Sequence, residues 1–223
     1  LAARGAQVQD AEHFLNPSLK HLLPDPFHLK DMDVAATRVA KAITDKETIA
    51  IFGDYDVDGA TSSALLARYF RAFGNSPIVY IPDRMSEGYG PNAKAMLALK
   101  ERGASVVITV DCGTLAFDAL DAAHAAGLDV IVIDHHQGEA RLPKACAVVN
   151  PNRLDETSEH RHLAAVGVAF LLAVAVNKKL REQGVAEPDL RQWLDIVALG
   201  TVCDVVSLTG VNRAFVAQGL KVM

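Results

Sequence analysis

The chain has 223 residues, of which 50% are hydrophobic and 22% charged, enough to bury a full core and to exclude disordered and fibrous classes. A net charge of −5 argues against a non-specific nucleic-acid binder, since phosphate binding normally rests on an excess of Lys and Arg. Three cysteines, Cys112, Cys146 and Cys203, are odd in number and lack paired spacing, which argues against a disulfide framework or zinc finger and for a reducing cytoplasm.

Residues 1–30 are rich in Pro, His and Leu and read as turns laid over a following domain, which is expected to span residues 31–223. Asp31 or Asp33 is expected to cap a helix whose apolar positions Val34, Val39 and Ile43 face inward. An alternation then begins. The strand "TIAIFG" is followed by a helix ending at Gly74, and the strand "IVYIP" by a helix opened by Pro91. The strand "SVVITV", a helix over 115–127, the strand "DVIVID" and a last strand "CAVVN" complete the pattern. This is the signature of an α/β fold: a doubly wound, mostly parallel sheet with helices on both faces. A helical C-terminal portion follows, over 163–182, 190–199 and from Asn212, the last expected to be still helical at Met223 and to lead into a further domain. The longest apolar stretch, 163–176, is broken by Gly167 and followed by Lys178 and Lys179, so it reads as a buried helix rather than a membrane span. No basic segment followed by an apolar one opens the chain.

In an open parallel sheet, ligands bind beyond the carboxyl ends of the strands, and there this sequence concentrates its acids. The first strand runs into Asp54, Asp56 and Asp58, the third ends at Asp111, and the fourth at Asp134, His135 and His136. A single Asp after a strand ordinarily caps the next helix. Three clusters on one rim exceed that need, because Asp56 and Asp58 in a tight loop repel each other unless a cation lies between them. Imidazole beside hard carboxylate oxygens points to manganese, with magnesium or cobalt as substitutes. Two such cations would add about +4 to the local field, which answers the objection from net charge. The loop "GDYDVDGATS" lacks the Gly-Lys-Ser/Thr ending of a phosphate-binding P-loop, and no dinucleotide glycine fingerprint follows the first strand.

The ordered motifs "GDYDVDG", "SEGYGPN", "VDCGT", "DHH" and "ALGTVCDVV" resemble those of RecJ-type members of the DHH phosphoesterase family, from about Leu22 to the C-terminus. The resemblance implies that Asp56 and Asp58 hold the two ions, that Asp111 bridges them, and that His135 and Asp204 complete the ligand set of the second ion. It implies a ligating or orienting role for Asp54, a supporting role for Asp134 in orienting His135, and a phosphate contact for His136. Phe52 stands where some relatives carry a histidine ligand, leaving the first site one ligand short. Ser207 stands where a Pro often follows "DVV".

The implied activity is 5′ to 3′ hydrolysis of single-stranded DNA to mononucleotides in recombination and repair, by two ions about 3.5–4 Å apart and a water-derived nucleophile near Asp111. Asp111, His136 and Arg84 would serve catalysis, although Arg84 also fits a surface salt bridge. Tyr89, in a glycine-jointed loop, would stack on a base or simply pack, and Asn92 would contact substrate. Two rivals are a DHH enzyme acting on a cyclic dinucleotide, short oligonucleotide or pyrophosphate, and a non-catalytic relative that has lost its ligands. A single-stranded-DNA-binding protein or a helicase is an implied partner, and the chain is expected to be a monomer. Family members continue into DHHA1 and OB-like domains, so the chain alone is expected to bind substrate weakly. The remaining histidines, His13, His21, His28, His124, His160 and His162, read as surface or packing residues, and Cys112 and Cys203 as small core residues.

Overall fold

A computed structural model describes residues 11–223; residues 1–10 and the side chain of His13 lie outside the described part. Five strands, β1 (Ile49–Gly53), β2 (Ile78–Tyr80), β3 (Val106–Val110), β4 (Asp129–Ile133) and β5 (Ala147–Val149), form one sheet in the order β2-β1-β3-β4-β5. Every pairing is parallel.

The central strands β1 and β3 are buried along their whole length, as expected of a parallel sheet covered on both faces. Their side chains part by alternation. Ile49, Ile51, Val106, Ile108, Ile131 and Ile133 join one core, packed beneath α3 (Met32–Thr44), α4 (Val57–Ala72) and α7 (Ala165–Glu182). Ala50, Phe52, Val107, Val130 and Val132 join the other with Met96, Leu99 and Leu120, which come from α5 (Ala93–Glu101) and α6 (Phe117–Ala125). Each fully buried aliphatic side chain contributes about 1.5–3 kcal/mol, so a register slip that exchanged the two faces would be strongly opposed.

The helical C-terminal part is α7, α8 (Leu194–Cys203) and α9 (Gly210–Gly219). Among the described residues no helix is long and apolar enough to cross a membrane. α1 (Ala11–Leu15) and α2 (Leu19–Leu22) lie beside α9, where Arg213 donates to the Phe14 carbonyl and Gln218 to that of Pro17.

Several local expectations change. Asp31 occupies the position before α3, but its carboxylate does not cap the helix; it accepts from the Val148 N–H and from Arg153. Val34 is exposed rather than inward. The helix expected from Pro91 begins at Ala93, because Asn92 accepts from the Ala95 N–H as its cap. The helix expected over 190–199 splits into a 3-10 turn, Leu190–Trp193, and α8, which runs on to Cys203. The last helix ends at Gly219, short of Met223.

Candidate metal centre

The strand order reverses direction between β1 and β3, and the crevice at such a switch point is where open α/β sheets bind ligands. The backbone sets the carboxylates side by side. The N–H of Asp54 donates to Val110 O (3.3 Å), that of Asp111 to Ile133 O (2.9 Å), and that of Asp134 to Val149 O (3.2 Å). Each acidic residue is thus pinned to the neighbouring strand just past its own. The β1–α4 loop folds tightly enough that a Cβ on Gly59 would lie 2.6 Å from the Asp54 carbonyl oxygen and 2.7 Å from its nitrogen; only glycine lets α4 start so close to β1.

Three groups of side chains place ligand atoms within 4.8 Å of one another: Asp54, Asp56 and Asp111; Asp58, His135 and Asp204; and Asp111, His135 and His136. His135 joins them, its Nε2 3.2 Å from Asp111 Oδ1 and 3.8 Å from Asp58 Oδ2, its Nδ1 3.6 Å from Asp204 Oδ2. Asp204 arrives from the end of α8, and Asp111 sits at φ 61°, a left-handed conformation that Asp and Asn tolerate better than most residues.

Asp54 Oδ1, Asp111 Oδ2 and Asp204 Oδ2 are buried without a hydrogen-bond donor. Burial pushes the Asp111 and Asp58 carboxyls above the usual carboxylate range, and neighbouring acids add to the rise. At His135 burial favours the neutral ring, but Asp111, Asp204 and Asp58 outweigh it and raise the imidazole to about 9. Buried acids that repel one another and lack donors are what a bound cation would satisfy. The donor set, carboxylate oxygens with no, one or two imidazoles in the three groups, fits a pair of hard or borderline divalent ions.

Two of the expected ligands also have structural tasks. Asp56 Oδ1 caps α4 through the Gly59 N–H (2.9 Å). Asp58 accepts from the Ala165 and Val166 N–H groups (2.6 and 2.9 Å), capping α7 from a different helix. Asp134, read from the sequence as orienting His135, reaches only that residue's backbone N–H; its ring partner is His136, at 2.7 Å from Nδ1. Burial raises the Asp134 carboxyl, but bonds from His136 and Thr114 prevail and hold it at about 2.

Tyr89 donates to the Asp111 carbonyl (3.2 Å), lies 3.4 Å from His136 Nδ1, and lines a cavity of about 350 Å³ with Pro91, Leu115 and His136. Arg84 makes no salt bridge among the described residues; its guanidinium lies over the Tyr55 ring, 4.9 Å from the centroid. Asn92 is outside the cluster: its amide caps α5. Phe52 is buried and stacked on Tyr80, so the position that is histidine in some relatives faces the α5–α6 core here. Cys112 is buried and Cys203 exposed, so the latter is not a core residue. His21, His28, His124, His160 and His162 belong to none of the three groups.

Sequence reasoning missed the residues that hold the DHH triplet from behind. Asn150 donates to the His136 carbonyl and to Thr114 Oγ1, and Asn152 to the His135 carbonyl. Their signal was the polar "NPN" directly after β5, on the same rim as the acids.

The family model described as "DHH family, N-terminal domain" matches residues 48–201, which include every residue of the three groups except Asp204. The chain belongs to the DHH family. Curated relatives of this DHH chain include the single-stranded-DNA-specific exonuclease RecJ of Bacillus subtilis (strain 168), 43% identical over 88% of the chain and 24% of that protein. Another is RecJ of Dickeya dadantii (strain 3937), 40% identical over 99% of the chain and 39% of that protein. The chain therefore spans 24% to 39% of the length of these relatives. A crystal structure of exonuclease RecJ bound to manganese superposes with a TM-score of 0.76 at 35% identity, covering 86% of this chain and 48% of that one.

Proposed function

We propose that this DHH chain is the catalytic part of a single-stranded-DNA exonuclease that releases mononucleotides from the 5′ end, as in recombination and repair. Residues 31–223 form its phosphoesterase domain, preceded by an N-terminal extension of which residues 1–10 lie outside the described part. The observation that carries the reading is the pair of ligand groups joined by Asp111 and His135 at the sheet's switch point, together with relatives named for this activity.

Asp54, Asp56 and Asp111 would hold one manganese ion, and Asp58, His135 and Asp204 the other, with magnesium or cobalt as substitutes. When bound, the ions supply Lewis-acid charge and a water activated for attack on phosphorus. Asp111 stands between the groups and fixes their spacing. His136 is held by Asp134 through Nδ1, leaving Nε2 free to meet a phosphate oxygen. Arg84 brings a second positive charge, which stabilises charge developing on that phosphate. Tyr89 offers an exposed ring on which any base can stack. The protein acts as a monomer in the cytoplasm and works on strands prepared by a helicase or coated by a single-stranded-DNA-binding protein.

The test is incubation with manganese and a 5′-labelled single strand, beside Asp111→Asn, following release of labelled mononucleotide. Release by the wild type and none by the variant is expected. Equal release by both, or faster turnover of a cyclic dinucleotide than of the strand, would overturn the reading.

A further inference from the structure

The segment between β2 and α5 is built to hold its shape. Asp83 Oδ1 accepts from the Met85 and Ser86 N–H groups and from Ser86 Oγ. Glu87 accepts from the Asp83 N–H and the Tyr80 hydroxyl. This folded loop touches the metal centre at two points: Tyr89 meets Asp111 and His136 at one, and Arg84 meets Tyr55 at the other.

Tyr55 lies between Asp54 and Asp56, in the acidic loop itself. Its ring is half-buried, and its hydroxyl makes no hydrogen bond among the described residues, so the face of the ring is what it offers Arg84. Among the described residues Arg84 makes no ion pair, although Asp54 and Asp56 flank Tyr55 and Asp58 lies in the first turn of α4. A guanidinium paired to a carboxylate would be neutralised and would occupy a ligand oxygen. One resting on an aromatic face keeps all its N–H donors for an incoming anion.

We infer that Tyr55 is a positioning residue: its ring holds the Arg84 guanidinium beside the acidic loop, away from the ligand carboxylates, so that it meets the phosphate being cleaved. The inference rests on the proposed phosphodiesterase reading for the identity of the anion. It assigns the aromatic residue in the middle of the acidic loop a task in substrate handling rather than in metal binding or packing.

The test compares Tyr55→Leu, Tyr55→Phe and Arg84→Ala in the full chain. The measurements are kcat and KM on a short single strand, manganese affinity by calorimetry, and binding of thymidine 5′-monophosphate to the magnesium-loaded chain. The Arg84 side-chain NMR shifts, displaced by the ring current of Tyr55, report the contact directly. Tyr55→Leu is expected to lower kcat and nucleotide affinity about fivefold, leave manganese affinity unchanged, abolish the ring-current shift, and have no further effect once Arg84 is Ala. Tyr55→Phe is expected to behave as wild type. Additive effects of Tyr55→Leu and Arg84→Ala, a fall in manganese affinity that accounts for the loss, or an Arg84 shift indifferent to residue 55 would each overturn the inference. Nucleotide binding through Arg84 without strand hydrolysis would instead overturn the exonuclease reading and leave the role of Tyr55 standing.

Discussion

Two clusters of charge in this protein differ in how the buried members are answered. Around Arg153, every charge has a partner: the guanidinium donates to Asp31, to the Val148 carbonyl and bidentately to Asp155, while Lys30 bonds Asp155 from the other side. At the rim of β1, β3 and β4, the carboxylates of Asp54, Asp58 and Asp111 are buried, unlike those of Asp31 and Asp155, and several rim oxygens have no donor. The first group joins α3, β5 and the loop that follows into one frame. The second is complete only when something positive enters. Acids alone do not mark a site; acids buried without partners do.

The comparison is sharpest in variants. Asp111→Asn suits the left-handed backbone and removes one of the repelling charges, so hydrolysis should fall by roughly 10³-fold or more while the thermal midpoint of the metal-free chain stays level or rises. A large loss of stability would make the rim a second structural network. Arg153→Met should do the reverse, costing about 1–3 kcal/mol by leaving the buried Val148 carbonyl without its donor and Asp31 without its cation, with no change in manganese affinity; chemical denaturation and calorimetry read the two effects separately.

The pH dependence of the metal-free chain tests the same contrast. His135 is raised to about 9 when folded, so its contribution is fully present below about 6.5 and is lost as pH rises toward 9. Asp58 and Asp111, also raised, act in the same direction, since the folded state keeps protons that the unfolded state has released. Melting in a chelator should therefore be higher at pH 6 than at pH 9. Manganese at a hundred times its dissociation constant should add about 2.7 kcal/mol and oppose that fall. A flat profile in chelator would show that the rim acids are not strained. The smallest effect belongs to Asn92→Ala, which should lose about 1 kcal/mol as a missing helix cap and retain activity; a large activity loss would return Asn92 to the substrate.

The strands, their parallel order and the acidic rim were legible because a buried parallel sheet writes itself as short apolar runs, each ending where the chain must turn. Long-range pairings were not. Nothing around Asp31 indicates that its carboxylate serves β5 rather than its own helix, since Arg153 lies 122 residues away. Asn92 was read for a substrate contact alone, and the cap its side-chain oxygen makes on α5 was not foreseen. Asp134 was assigned to the wrong histidine because adjacent residues on a turn point in different directions. Asn150 and Asn152 support the triplet only because β5 lies beside β4.

Asp58 bears on how such a protein could change over time. Its carboxylate closes the first turn of α7 from across the fold, so a lineage that abandoned hydrolysis would still need an oxygen acceptor there to keep the helix in place. Divergence could erase Asp204 with little architectural consequence and Asp56 at the cost of one helix cap, whereas position 58 would be confined to side chains able to receive an amide proton. An acid surviving alone at that position would record a helix joint, not a remnant of catalysis.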